Sequence, residues 1–223
     1  MKNSAIIFDL DGTLIDTAPD LWRATNHVLA HAGRRELTLG EVRAFVGHGA
    51  RSLITRGFAA TGAPLDPANL ENFYGRFVDH YGDNIAENSL PFPGCIALLD
   101  KLKAEGALLG ICTNKLEGLS VKLVEALGLK AYFGAVVGPD SIGIAKPDAA
   151  PYRETLRRMG AGSRTSVMIG DSETDVLTAR AAGVKVIAVT FGYTPRPVAE
   201  FGPDFLLEHF DNGYDAIKKV LGC

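Results

Sequence analysis

The sequence predicts an α/β protein with a doubly wound parallel sheet and an inserted small α-helical domain. Three observations predict it. Short apolar runs recur at Ala5–Phe8, Ala107–Cys112, Ala135–Val137, Val167–Ile169, Val186–Val189 and Phe205–Leu207. They are continuous rather than alternating, as strands buried on both faces are. Helical patterns separate them. Leu116, Leu119, Leu123 and Leu127 share one face before Gly128, and Ile96, Leu99 and Leu102 share another before Gly106. Strand–helix alternation of this kind implies helices on both sides of a parallel sheet.

The third observation is an interruption. From Asp16 to Asn88 only helical periodicity is found, with Leu21, Thr25, Val28 and Leu29 on one face and Leu70, Phe73, Phe77 and Tyr81 on another. Ser89-Leu90-Pro91-Phe92-Pro93-Gly94 reads as the return hinge, because its prolines and glycine disfavour a continuing helix. The expected division is therefore a core of residues 1–15 and 89–223 with a helical insert of residues 16–88.

Bulk properties narrow the function. At 223 residues with 47% hydrophobic and 22% charged residues, the chain suits a globular enzyme. A formal net charge of -3 gives no footprint for nucleic acid or an anionic membrane. No apolar stretch approaches membrane-spanning length, and the four-residue run before Asp9 is too short for a signal peptide. Cys95, Cys112 and Cys223 are distant and odd in number, so they read as incidental thiols in a reducing compartment. The cytoplasm is the expected location. Nothing in the sequence decides between monomer and homodimer.

Ligands in open parallel sheets bind at the carboxyl ends of the strands. The polar residues just after the apolar runs are Asp9 and Asp11, then Thr113-Asn114, then Gly170-Asp171, with Lys146-Pro147 in the loop beyond the third run. Three converging carboxylates need a cation between them, and hard oxygen donors suit Mg²⁺. Carboxylates, Mg²⁺ and one lysine make a device for phosphoryl transfer. Each residue also has a plainer reading: Asp11-Gly12 as a turn, Thr113 as a helix N-cap, Lys146 as a solvated lysine, Asp171 and Asp175 as acids near a helix N-terminus. The ordered combination is what these readings leave unexplained. An EF-hand counted from Asp9 fails, with Leu14 at the glycine position and Asp20 at the final glutamate. Gly47-His48-Gly49 and Gly160-Ala161-Gly162 lack the third glycine of a dinucleotide fingerprint, and no GxxxxGK[ST] occurs.

Phe8-Asp9-Leu10-Asp11-Gly12-Thr13-Leu14, Thr113-Asn114, Lys146-Pro147 and Gly170-Asp171-Ser172-Glu173-Thr174-Asp175 resemble, in order, the four motifs of the haloacid dehalogenase-type (HAD-like) phosphohydrolases. The resemblance implies a Rossmann-like core under a small helical cap. It implies that Asp9 attacks phosphorus, that Asp11 is the general acid and base, and that Asp9, Asp171 and the Asp11 carbonyl hold Mg²⁺. Thr113 and Asn114 would bind phosphoryl oxygens, Lys146 would neutralise charge, and Asp175 would orient Lys146 or a metal-bound water. An acid at position 11 argues against a dehalogenase.

Within the insert, Val46, Gly47, Gly49, Leu53 and Arg56 resemble the cap segment of phosphoglycolate phosphatases. His48 lies between the two glycines, and Arg51 or Arg56 could receive a substrate carboxylate. Ala149 stands where the family has a second proline after Lys-Pro, which predicts a looser loop there. The expected function is hydrolysis of a small phosphate ester, with 2-phosphoglycolate first. A β-phosphoglucomutase-like phosphomutase is the alternative, and a non-catalytic binding protein on the same scaffold is a third.

Overall fold

A buried pentapeptide sets the architecture. Strand β1 (Ser4–Phe8) has no exposed residue, so both faces must be covered. The computed structural model describes residues 1–2, 4–162 and 164–222. After β1 come β2 (Ile15–Asp16), α1 (Ala18–His31), α2 (Leu39–Arg43), α3 (Ala50–Thr61), α4 (Leu70–Asp83) and β3 (Leu90–Pro91). The chain continues through α5 (Cys95–Ala104), β4 (Leu108–Cys112), α6 (Glu117–Ala126), β5 (Ala135–Val137), α7 (Ala149–Arg158) and β6 (Thr165–Gly170). It closes with α8 (Glu173–Ala182), β7 (Lys185–Val189), β8 (Phe205–Leu207) and α9 (Gly213–Leu221).

The main sheet has the order β5-β4-β1-β6-β7-β8, and all its pairings are parallel. From β1 the chain winds outward through β4 and β5, then crosses to β6 on the other flank. That reversal opens a crevice at the carboxyl end of β1, where the motif residues gather. Each predicted apolar run forms one of these strands.

Two details differ from the sequence reading. The buried stripe of α5 is Cys95, Leu98, Leu99 and Leu102, whereas Ile96 is 46% exposed. The i, i+3, i+4, i+7 spacing from Cys95 fits the stripe better than one starting at Ile96. The second difference is a two-stranded antiparallel ribbon, Ile15 opposite Pro91 and Asp16 opposite Leu90. Strands of two residues carry no periodicity to read. Gly128 does end α6 as expected: its φ of 71° suits glycine, and Leu129 N–H bonds back to Val124 O at 2.7 Å.

Helices α1–α4 all lie between β2 and β3. Leu21, Thr25, Val28 and Leu29 of α1 are buried, as are Phe77 and Tyr81 of α4. Thr38 and Glu41 form a reciprocal capping box on α2. Asp20 ties the insert to the returning chain. Its carboxylate accepts from the backbone N–H of Asn88 and Ser89 and from the Ser89 hydroxyl, the last at 2.7 Å. Asp20→Ala is expected to destabilise the protein by about 1–3 kcal/mol, because buried donors lose their acceptor. Urea unfolding would measure this, and an unchanged midpoint would count against the tie.

Cys95 and Cys112 are buried and free, with burial pushing both thiols up to about 12. Cys223 lies outside the described residues. Among the described residues, no helix is long and apolar enough to cross a membrane.

Candidate active site

Asp9 leaves the end of β1 with its N–H bonded to Ile169 O of β6 at 2.8 Å, which fixes it at the crevice. Gly12 follows at φ 83°, and a Cβ there would meet Asp171 Oδ2 at 2.5 Å, so only glycine lets this turn pass the third aspartate. Asp171 follows β6. Its Oδ2 accepts from Tyr193 N–H at 2.7 Å and its Oδ1 from the Thr13 hydroxyl at 3.3 Å.

Carboxylate oxygens of Asp9, Asp171 and Asp175 lie within 4.8 Å of one another, and all three residues are buried. Burial raises Asp9 to about 6, with Asp175 adding to the rise and Lys146 opposing it. Burial, then repulsion from Asp175 and Asp9, pushes Asp171 well above the usual carboxylate range. Lys146 stands between two of them, 2.9 Å from Asp9 Oδ1 and 2.6 Å from Asp175 Oδ1. Its burial works against the ammonium, yet the flanking carboxylates hold it above its ordinary value.

The donor set can be tested for a cation. Asp175 is used up: Oδ1 accepts from Lys146, and Oδ2 accepts from the Ser172 N–H and hydroxyl. Asp9 Oδ1 is different. It is buried beside Lys146 without an aligned hydrogen-bond donor. An orphaned carboxylate oxygen facing a second buried carboxylate suits a divalent cation, with Asp9 Oδ1 as the unpartnered donor and Asp171 beside it, its Oδ1 held only by the 3.3 Å contact from Thr13.

Thr113 and Asn114 follow β4. The Thr113 hydroxyl accepts from Lys115 N–H at 3.2 Å, a local turn. The Asn114 amide donates to Gly47 O and to Lys146 O, and its Oδ1 accepts from Lys146 N–H at 2.9 Å. One side chain thus pins the Lys146 loop and touches the insert. In that loop Asp148 caps α7, accepting from Ala150 N–H at 2.7 Å just where the family's second proline is replaced by Ala149.

A cavity of ≈ 290 Å³ joins these pieces. Asp9, Asp11, Thr113, Asn114 and Lys146 line it from the core, and Gly47, His48, Gly49 and Arg51 from the insert. Gly49, at φ 81°, comes close enough that a Cβ would lie 3.3 Å from Asn114 O. Arg51 is held by Glu71 through two bonds of 2.9 Å and lies over the Tyr74 ring. Arg56 is not among the residues lining this cavity. It donates to Phe45 O and borders a smaller cavity that also touches Asp11 and Asp171.

Residues 6–189 match the family model described as haloacid dehalogenase-like hydrolase. The chain belongs to that family. A phosphoglycolate phosphatase of Mesorhizobium japonicum is 47% identical over 211 residues, covering 95% of this chain and 93% of its own length. One of Caulobacter vibrioides is 46% identical, covering 94% and 89%. A crystal structure described as a predicted phosphoglycolate phosphatase from Haemophilus somnus superposes with a TM-score of 0.90 at 28% identity, covering 97% and 99%.

Two residues of this HAD-like hydrolase escaped the sequence reading. Lys115 reaches both Asp11 oxygens, at 3.1 and 3.2 Å, and the Tyr81 hydroxyl at 2.8 Å. It directly follows Thr113-Asn114 beyond the end of β4. Tyr193 supplies the N–H on Asp171, while its hydroxyl donates to Asp16 and accepts from Ala18 N–H. It lies in the segment that follows β7.

Proposed function

We propose that the chain is a cytoplasmic, Mg²⁺-dependent phosphatase that hydrolyses 2-phosphoglycolate to glycolate and phosphate. Asp9 is the nucleophile: its oxygen bonds to phosphorus as the bond to the glycolate oxygen breaks. Asp11 gives that oxygen a proton, then removes one from the water that attacks phosphorus and frees Asp9. Thr113 and Asn114 orient the phosphoryl group, and Lys146 balances its charge. Asp175 holds Lys146 in position.

Asp9, Asp171 and the Asp11 carbonyl would hold Mg²⁺, which when bound supplies positive charge for the phosphoryl oxygens. Residues 16–88 form the cap and residues 1–15 and 89–223 the core, with His48, Arg51 and Arg56 on the cap rim. The single observation that supports the reading best is the buried Asp9–Lys146–Asp175 array beside Asp171, with Asp9 and Lys146 lining the larger cavity. The curated relatives favour this substrate over other esters.

Phosphate release should be measured over a panel holding 2-phosphoglycolate, glucose 6-phosphate and β-glucose 1-phosphate. We expect the highest kcat/KM on 2-phosphoglycolate with Mg²⁺, and none after EDTA. Isomerisation of β-glucose 1-phosphate without phosphate release would establish a mutase instead. Folded protein inert across the panel would establish a non-catalytic role.

A further inference from the structure

We propose that Tyr193 is a positioning residue that couples the Asp171 carboxylate to the hinge of the insert, so that holding a divalent cation and holding the insert in place reinforce one another. The inference rests on the Mg²⁺ part of the reading above and extends it to a residue outside the four motifs.

Tyr193 is 5% exposed and is engaged at both ends. At one end its N–H donates to Asp171 Oδ2 at 2.7 Å. At the other its hydroxyl accepts from Ala18 N–H at 3.0 Å and donates to Asp16. Asp16 belongs to β2 and Ala18 opens α1, so the hydroxyl sits where the chain leaves the core for the insert. A helix start leaves such an N–H without a partner, and the Thr17 side chain does not cap this one.

The two ends do not move independently. A tyrosine side chain turns about only two bonds, and this one is packed in. A Cβ on Gly12 would meet the Tyr193 Cδ2 at 2.8 Å, and a Cβ on Gly192 would meet the Asp171 Cβ at 2.2 Å. Ring and backbone are therefore seated against the turn after Asp11 and against Asp171 itself, in packing too dense to absorb a shift.

The link continues into the insert. Asp16 Oδ2 accepts from Arg43 of α2 at 3.0 Å, and the Arg43 guanidinium lies 5.9 Å from the centre of the Tyr193 ring. An ion pair this exposed, 43% on the arginine and 30% on the aspartate, adds little by itself. Its significance is its place, because Asp16 carries Arg43 on one oxygen and Tyr193 on the other. Arg43, Asp16, Tyr193 and Asp171 thus form one chain of contacts from α2 to the carboxylate beside Asp9. A cation that fixes Asp171 fixes Tyr193 with it, and through the hydroxyl the start of α1 and the Asp16–Arg43 pair. By reciprocity, loosening the hinge must weaken the cation.

The test is Mg²⁺ affinity, measured by calorimetry on protein stripped with EDTA and dialysed, so that no turnover is needed. Tyr193→Phe keeps the N–H on Asp171 and the ring beside Arg43 and removes only the hydroxyl. It should weaken Mg²⁺ about ten-fold, the scale of lost support to a metal ligand. Arg43→Met should weaken it roughly three-fold. The sign is decisive there, because removing a positive charge near a cation would by itself tighten binding. In the Tyr193→Phe background, Arg43→Met should weaken Mg²⁺ no further. Phosphate release by Tyr193→Phe should need about ten-fold more Mg²⁺ for half its maximum, with most of kcat recovered at saturation, which a general loss of structure would not give. Unchanged affinity in Tyr193→Phe, tighter binding in Arg43→Met, or equal effects of Arg43→Met with and without the hydroxyl would overturn the assignment. Should Tyr193→Phe not fold, the sign of the Arg43→Met effect decides alone. Wild-type protein that takes up no Mg²⁺ would end the metal reading and the coupling together. The expected pattern of Mg²⁺ affinities without phosphate release would refute the phosphatase reading and leave the coupling standing.

Discussion

Asp9→Asn is expected to abolish phosphate release, by roughly 10⁴-fold or more, because the amide cannot act as the nucleophile and the catalytic groups work as a unit. The same change should stabilise the metal-free protein. The folded protein raises Asp9 from the usual 3.8 to about 6, so it binds the proton better than the unfolded chain does. That contribution to stability is fully present below the unfolded value and is lost as pH rises through about 6. Asparagine has nothing to lose. Thermal melts in EDTA should therefore diverge in favour of the variant between about pH 4 and pH 6 and run parallel above that window. Substantial phosphate release by the variant would remove Asp9 from the mechanism. A variant melting below wild type at neutral pH would mean that Asp9 supports the fold rather than burdens it.

Lys146→Met should be the most damaging change to stability. The Lys146 side chain is 2% exposed and faces Asp9 and Asp175, whose side chains are 8% and 1% exposed. Removing the ammonium leaves carboxylates facing one another without compensation, which typically costs about 3–5 kcal/mol. For a protein of this length the melting point should fall on the order of 10 °C. The paired variant Lys146→Met with Asp175→Asn should lose much less than the two single changes added together, since one repulsive partner goes with the lysine. Strict additivity in urea unfolding would show that the array is not coupled. Added Mg²⁺ should recover part of the loss in the single variant, because a cation that binds only the folded state stabilises it.

The strands and the motif residues were legible for one reason. A strand buried on both faces has to be apolar throughout, so Ala5–Phe8 or Val167–Ile169 marks its own end, and the next polar residue points to the crevice. That logic reached Asp9, Asp11, Thr113, Asn114 and Asp171 from local sequence alone. It failed where a residue's meaning comes from a distant partner. Lys115 looks ordinary until Tyr81 of α4 and Asp11 after β1 close around it. Arg51 looks like a free cation until Glu71, twenty residues along, engages it. Tyr193 acts on Asp171 through its backbone N–H, which no side-chain pattern encodes. Ile96 is apolar enough for a buried face, yet Leu98 is the residue whose position fits the stripe's geometry.

The short ribbon of β2 and β3 has a consequence for how such a molecule can change. Because Ile15 pairs with Pro91 and Asp16 with Leu90, the outgoing and returning chains leave the sheet side by side. To the sheet, everything between them is one long excursion whose mouth is already stitched shut. The entropy of closing an excursion grows only slowly with its length. Lengthening, shortening or reshaping the helices beyond that neck need not disturb how β1 sits between β4 and β6. The helices beyond that neck can thus be rebuilt while the parallel sheet and the aspartates at its carboxyl edge are left untouched.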